Sequence, residues 1–125
     1  MSKLIGYLDG ADSYWLTALA VAGCYALPLS NGWDGHGLNI QLLHGERKPD
    51  LVIGYLHKLI PTPDADMTIN DLLYRTKVFN IPVFIVCPKE LHEKAREIAP
   101  DLPPNAELVD PFDVVEKARA LLCNE

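Results

Sequence analysis

The sequence has little of what distinguishes a secreted or membrane-embedded protein. Its three cysteines, Cys24, Cys87 and Cys123, are odd in number and show no C-x-x-C spacing, so neither a disulfide framework nor a zinc site is expected. The most apolar longer stretch, residues 14–29, is too short to cross a bilayer, and the first residues lack the long apolar core of a signal peptide. These absences predict a cytoplasmic protein with reduced thiols and no membrane partner.

Positive charge is also scarce in this chain. It has 11 Lys and Arg residues against 17 Asp and Glu residues, which gives a formal net charge of −6 and a pI near 5.1. Nucleic-acid backbones attract proteins that carry a net positive potential. The charge balance therefore predicts that nucleic acid is not a partner.

The glycine motifs that hold nucleotide phosphates are absent as well. Neither G-x-G-x-x-G nor G-x-x-x-x-G-K-[ST] occurs in the sequence, so the usual dinucleotide and P-loop sites are excluded. No other motif identifies a cofactor, which therefore stays unknown.

What the sequence does contain is an alternation of short apolar runs and helical segments. With 125 residues, 49% of them hydrophobic and 22% charged, residues 1–125 are expected to form a single domain. Strands that alternate with helices over short connections predict a doubly wound, flavodoxin-like or Rossmann-like α/β fold, with strand order 2-1-3-4-5. Pro28 cannot donate to a ladder, so the second strand is expected at an edge. The five predicted parallel strands are Leu4–Leu8, Tyr25–Leu29, Leu51–Leu56, Val83–Val86 and Ala106–Val109.

Capping residues and apolar periodicity place the helices between these strands. Asp12 or Ser13 can cap a helix over Tyr14–Ala22, whose nearly all-round apolar surface predicts burial on more than one side. Residues 68–71 resemble a capping box and open a helix that continues to Phe79. Further helices are predicted over Leu38–His44, after Pro88 with the apolar stripe Leu91, Ala95 and Ile98, and after Asp110 with the inner face Val114, Val115, Ala118, Leu121 and Leu122.

Polar residues collect where the predicted strands end. In open parallel sheets the ligand crevice lies outside the carboxyl ends of the strands, near the point where the strand order reverses. Loops after the first three predicted strands should therefore face one site, with Trp33 and Tyr14 supplying apolar surface. The candidate ligand-binding residues are Asp9, Asp12, Ser13, Asn31, Trp33, Asp34, His36, His57 and Lys58.

Two interpretations stay open for most of these residues. Asp9 can bind a hydroxyl, an amine or a metal, or it can serve the turn alone, and Asp12 and Ser13 are also explained as helix caps. The segment 31–37 combines an aromatic ring, an acid and an imidazole on a glycine-rich backbone, a composition found in binding loops. Asn, Asp and Gly are equally common in plain surface turns.

Four residues are candidates for catalysis, namely Asp9, His36, His57 and Cys87. The two histidines with Asp9 or Asp34 would suit a borderline metal, but their spacing matches no established ligand pattern, so no metal site is predicted. Cys87 precedes a predicted helix start, where the helix dipole can lower a thiol pKa. A buried inert thiol is the alternative interpretation.

The order of elements resembles that of receiver domains, which carry acids after the first strand, an acid after the third strand and a later lysine. Here His57 stands at the end of the third predicted strand and cannot serve as a phosphoacceptor. The resemblance therefore extends to the fold class and stops there.

These features support three functional hypotheses. The first is a small cytoplasmic ligand-binding or regulatory domain that holds a polar small molecule, nucleotide-like compounds included, at the carboxyl edge of the sheet. The second is a hydrolase or transferase that uses the same edge. The third is an interaction subunit, in which the helix over residues 14–22 and the second strand form a homo-oligomer contact.

Overall fold

The computed structural model describes residues 3–32, 37–43, 48–61 and 67–123. Within these ranges six parallel strands form one sheet in the order β3-β2-β1-β4-β5-β6. The strands are β1 (Lys3–Leu8), β2 (Cys24–Ser30), β3 (Leu38–Asn39), β4 (Leu51–Tyr55), β5 (Val83–Val86) and β6 (Ala106–Val109). The α-helices are α1 (Ser13–Val21), α2 (Leu56–Leu59), α3 (Ile69–Leu72), α4 (Tyr74–Val78), α5 (His92–Ile98) and α6 (Val114–Cys123).

The sheet has the doubly wound topology that the sequence predicts. Without the two-residue strand β3 the order reads β2-β1-β4-β5-β6, which is 2-1-3-4-5 in terms of the five predicted strands. The order reverses at β1, because the chain adds β2 and β3 on one side of β1 and then places β4 on the other. The carboxyl ends of β1 and β4 therefore flank the crevice that this topology creates.

Apolar layers cover both faces of the sheet. Leu59, Leu72 and Leu73 belong to the layer on one face, whereas Trp15 of α1 and Val114 of α6 belong to the layer on the other. The central strand β5 serves both layers, with Val83 and Ile85 in the first cluster and Phe84 and Val86 in the second. Burial on both faces explains why this strand reads as a continuous apolar run.

The segment after residue 37 differs from its predicted helix. Leu38 and Asn39 extend the sheet as β3 by pairing with the last two residues of β2. The Asn39 side chain then accepts a hydrogen bond from the Gln41 amide at 2.9 Å, which starts a short 3-10 turn over Ile40–Leu42. The helix predicted over Leu38–His44 is wrong at Leu38 and Asn39, where strand pairing replaces it, and is reduced to the 3-10 turn over Ile40–Leu42. Its last residue, His44, lies outside the described residues.

The outer position predicted for the second strand is also wrong, because β3 lies outside β2. The pairing of β3 begins only at Leu29, one residue after Pro28. Pro28, which has no N–H to donate, therefore does not interrupt the hydrogen bonds between β2 and β3.

The helix predicted over residues 68–79 is divided into α3 and α4, which meet at Leu73. The capping box is confirmed, since the Thr68 hydroxyl accepts from the Asp71 amide at 3.1 Å and the Asp71 carboxylate accepts from the Thr68 amide at 2.9 Å. The Leu73 carbonyl at the division accepts from the buried Thr76 hydroxyl at 2.6 Å and, in the regular helical pattern, from the Lys77 amide at 3.2 Å.

Within this chain helix α1 is buried on one side only, so neighbouring elements do not supply the second buried side that its apolar composition predicts, and burial at a subunit contact stays a prediction. Trp15 and Leu19, four residues apart, face the sheet. Tyr14 and Val21 are exposed. No helix of the described residues is long and apolar enough to cross a membrane.

The apolar stripe predicted after Pro88 is only partly buried. A 3-10 turn over Lys89–Leu91 precedes α5, and the change from three to 3.6 residues per turn shifts the helical register. Ala95 is buried, but Leu91 and Ile98 are about half exposed. Helix α6 keeps most of its predicted inner face, with Val114, Ala118 and Leu122 buried and Leu121 turned outward.

Candidate functional site

An ion pair joins the two loops that flank the reversal of strand order. Lys58 Nζ lies 3.3 Å from Asp9 Oδ2, which links the loop after β1 to helix α2 directly after β4. The Lys58 side chain is 25% exposed and the Asp9 side chain 47%, so the pair stands at the mouth of the crevice. The Lys58 side chain thus reaches Asp9 across the crevice in which folds of this type bind their ligands.

A buried asparagine binds the backbone of Lys58, one member of this ion pair. Asn31 follows β2 and is only 1% exposed, and its side-chain amide donates to the Lys58 carbonyl at 2.8 Å. The neighbouring Ser30 hydroxyl accepts from the Gly32 amide at 3.0 Å. These bonds hold the start of the loop after β2 against the loop after β4.

Three aromatic side chains form a row from α1 to α2. The Trp15 and Tyr55 ring centroids are 5.3 Å apart, and the Tyr55 and His57 centroids are 5.7 Å apart with nearly stacked planes. Burial and, to a smaller degree, the nearby Asp12 carboxylate raise the pKa of the Tyr55 hydroxyl. The Tyr55 hydroxyl therefore stays protonated at neutral pH, and the His57 ring packs on a neutral tyrosine.

The residues at the start of α1 have local structural roles. Asp12 Oδ1 accepts from the Tyr14 amide at 2.9 Å, so Asp12 is the helix cap, and Ser13 is the first residue inside the helix. The capping interpretation is thus confirmed for Asp12. One carboxylate oxygen is sufficient for the cap, which leaves the second oxygen for other contacts.

Asp110 joins the two loops on the other half of the edge. Its carboxylate accepts from the Lys89 amide at 2.8 Å and from the Phe112 amide at 3.0 Å, so it connects the loops after β5 and β6. These two backbone hydrogen bonds lower the pKa of Asp110. Phe112 is placed by this bond although its ring is almost wholly exposed.

Cys87 is buried at the end of β5. Burial raises the pKa of its thiol, and the nearby carboxylates of Glu90 and Asp110 add to the increase. A ring nitrogen of His92 lies 2.7 Å from the Cys87 carbonyl oxygen, so this imidazole bonds to the backbone of Cys87 and not to its sulfur. This environment favours the neutral thiol and gives no support to a thiolate nucleophile.

The structure brings part of the predicted site together. The Asp9 carboxylate and the Asn31 side chain both bond to Lys58, at its ammonium and its carbonyl, and His57 packs its ring on Tyr55, near which the Asp12 carboxylate lies. Trp33, Asp34 and His36 lie outside the described residues. Within those residues no group of three His, Cys, Asp or Glu side chains is arranged to hold a metal ion.

A groove next to this cluster is lined mostly by residues that the strand-end rule does not select. It has a volume of about 810 Å³ and lies between the start of α1 and the start of α6. Phe112 lies in the 3-10 turn over Pro111–Asp113 that follows β6. Its position just after the last strand is the feature of the sequence that could have indicated a place at this edge. The lining residues are Asp12, Tyr14, Trp15, Pro111, Phe112, Val115, Glu116 and Arg119.

Comparison with known proteins gives a likeness in structure and no match in sequence. No family model matches the chain. No curated protein matches it either. The chain is similar in structure to the apo form of the receiver domain of nitrogen regulatory protein C, with a TM-score of 0.55 and 17% sequence identity over 98% of this chain and 95% of that one. At this level of identity the likeness establishes the flavodoxin-like fold alone.

Proposed function

We propose that this chain is a small regulatory α/β domain that binds a polar small molecule at the carboxyl edge of its sheet. The observation that supports this proposal is the Asp9–Lys58 ion pair, which spans the β1 and β4 loops where the strand order reverses. Ligands of open α/β sheets bind at this position. The similarity in fold to a receiver domain of a regulatory protein supports a regulatory role.

The ion pair offers both signs of charge to a ligand. Lys58 is mostly buried and its carbonyl is fixed by Asn31, whereas Asp9 is about half exposed. An anionic group that replaced Asp9 beside Lys58 would find a partly desolvated cation, for which a charge-assisted hydrogen bond is strong. The released Asp9 carboxylate could then accept from a ligand hydroxyl or amine. A polar molecule with an anionic group and a neighbouring donor, such as a nucleotide or a sugar phosphate, has this chemistry.

Trp33, Asp34 and His36 follow Asn31 in the chain, and His57 directly precedes Lys58. These four side chains remain predicted contacts of the ligand. The cytoplasmic setting that the sequence predicts is part of this proposal.

The proposal is tested by thermal unfolding with a panel of nucleotides, sugar phosphates and amino acids. A ligand that binds only the native state stabilises it by RT ln(1 + [L]/Kd), about 2.7 kcal/mol at a hundredfold excess over Kd. We expect at least one compound to raise the melting temperature of the wild-type protein. Lys58→Met should remove most of that increase, because it removes the only cation of the pair.

A second ion pair provides the matched control. Lys117 lies 3.3 Å from Glu107, the same separation as in the proposed site, but on the outer strand β6 and the facing helix α6. Lys117→Met removes the same charge and should leave the ligand-induced increase intact. If no compound stabilises the protein, or if Lys58→Met responds as strongly as Lys117→Met, the site is not at this ion pair.

A further inference from the structure

The groove between α1 and α6 has the size and lining of a site for a small ligand. Its volume of about 810 Å³ lies within the range of about 300–1,000 Å³ that is common for small-molecule pockets. Its floor includes Trp15, which is held in place by packing on Tyr55. Neither Asp9 nor Lys58 lines the groove, so a ligand bound here is independent of the proposed function.

Two exposed aromatic rings stand at the groove. Phe112 is 94% exposed and Tyr14 is 67% exposed, yet the backbone on both sides is fixed by hydrogen bonds to Asp110 and Asp12. A phenylalanine ring that is held in water by a fixed backbone leaves a large apolar surface unburied. The faces of both rings are available to a molecule in the groove.

The charged groups of the groove carry a net negative charge. Asp12, Glu116 and Arg119 contribute two negative charges and one positive charge. Among the described residues neither the Glu116 nor the Arg119 side chain makes a hydrogen bond or an ion pair. The formal charges of these three side chains sum to −1, which favours a cation over an anion beside them.

We propose that this groove binds a small organic monocation, an ammonium compound with an aryl or alkyl group that packs between Tyr14 and Phe112. The ammonium group interacts with the ring faces and with the Asp12 and Glu116 carboxylates. Arg119 lies one turn beyond Glu116 on α6 and disfavours a second positive charge. Its position restricts the ligand to one cationic centre.

The proposal is tested with three probes of similar shape, 2-phenylethylammonium, 2-phenylethanol and 3-phenylpropanoate, at constant ionic strength. Amide chemical shifts in a 15N-labelled protein locate and measure the binding of each probe. We expect the ammonium probe to shift the amides of residues 12–15 and 111–119 and to bind about tenfold more tightly than the alcohol, because only the charged probe gains the cation–π and carboxylate interactions. The carboxylate probe should bind most weakly.

Variants of the groove assign the contributions of ring and charge. Phe112→Ala should weaken ammonium binding about tenfold, whereas Tyr74→Ala removes a ring on α4 that is 60% exposed but lies outside the groove, and should have no effect. Glu116→Gln should reduce the preference for the ammonium probe over the alcohol. Both groove positions are exposed, so neither change removes core packing.

Three results would overturn the inference: equal binding of the alcohol and the ammonium probe, unchanged binding in Phe112→Ala, or shifts confined to residues away from the groove. Lys58→Met separates this site from the proposed one, because ammonium binding should persist in that variant. Retained ammonium binding in a wild-type protein that binds none of the metabolites, or whose metabolite binding survives Lys58→Met, would count against the proposed function alone.

Discussion

A single buried hydroxyl, that of Thr76, connects the short helices α3 and α4 to Asn105 and to the loop before β5. It donates to the Leu73 carbonyl and accepts from the Asn105 side-chain amide at 3.0 Å, and that amide also donates to the Ile81 carbonyl at 2.7 Å. Residues in one buried network show interaction energies of about 0.5–3 kcal/mol in double-mutant cycles. We expect Thr76→Val and Asn105→Ala to be coupled by at least about 0.5 kcal/mol in urea unfolding.

The control for this cycle is Thr17→Val, an exposed threonine on α1, combined with Asn105→Ala. These two changes lie on opposite faces of the sheet and should be additive within about 0.5 kcal/mol. Strict additivity of the Thr76 and Asn105 variants would contradict the network.

Asn80 is the one described non-glycine residue with a positive φ, 53°, in the turn between α4 and β5. The left-handed conformation is unfavourable for residues with a Cβ, and Asn tolerates it better than most. Asn80→Ala should lower the free energy of unfolding by about 1 kcal/mol, whereas Asn80→Gly should leave it within about 0.5 kcal/mol of wild type. Chemical denaturation measures both. An alanine variant as stable as the glycine variant would show that the backbone of this turn has relaxed.

Residue types at strand ends were the part of the site that the sequence could predict. Asp9 and Lys58 are 49 residues apart in the chain, but both follow strands, and the carboxyl ends of parallel strands share one edge. Glu116 and Arg119 lie within α6, in its first two turns, so no strand-end argument selects them. Their place in the groove depends on how α6 packs beside α1, and the sequence does not state that packing.

At the scale of elements, Asp110 fixes the relation between two loops, and its contribution to stability should depend on pH. The backbone bonds from Lys89 and Phe112 favour the carboxylate, so the pKa of Asp110 is lower in the folded state than in the unfolded chain. Its stabilisation is therefore fully present above the unfolded pKa, about 3.9, and is lost as the pH falls through the lower folded pKa.

The variant Asp110→Asn tests this pH dependence. It should be less stable than wild type at pH 7, and the difference should shrink as the pH falls below about 4. Urea unfolding at several pH values gives both quantities. Asp101→Asn, at an exposed position without a side-chain hydrogen bond among the described residues, controls for the removal of one acidic charge. A constant difference between wild type and Asp110→Asn at all pH values would refute the linkage.

The predicted bounds of strands and helices were accurate where burial determines the structure. They were wrong where local interactions determine it. The bounds of β5 and β6 match the predicted strands, and for β5 the reason is that residues buried between two layers must all be apolar. Periodicity could not reveal the interruption at Leu73, since the apolar spacing of residues 69–79 continues through it. The Asn39 side chain starts the 3-10 turn after β3 through a hydrogen bond that an apolar pattern does not contain.

For the whole molecule, the fold of a receiver domain occurs here without the acid that a receiver carries after its third main strand. The corresponding strand β4 ends in Tyr55, and Leu56, His57 and Lys58 follow it in α2. Lys58 is already directed to Asp9 across the crevice. Because no aspartate occurs among residues 55–58, the proposed function relies on a bound ligand and not on phosphoryl transfer at the end of β4.

This difference gives a direct test with acetyl phosphate and Mg²⁺. The intact mass of this protein should stay unchanged, because no carboxylate stands at the phosphoacceptor position and Asp9 is occupied by the Lys58 ammonium. A receiver domain treated in parallel serves as the positive control and should gain the mass of one phosphoryl group. Lys58→Met frees Asp9 from its cation and, on the same argument about position, should also remain unmodified. A phosphoryl group on Asp9 or Asp12 in either protein would mean that the acids after β1 can take over the role, and the domain would then belong with phosphorylation-controlled regulators instead of ligand-controlled ones.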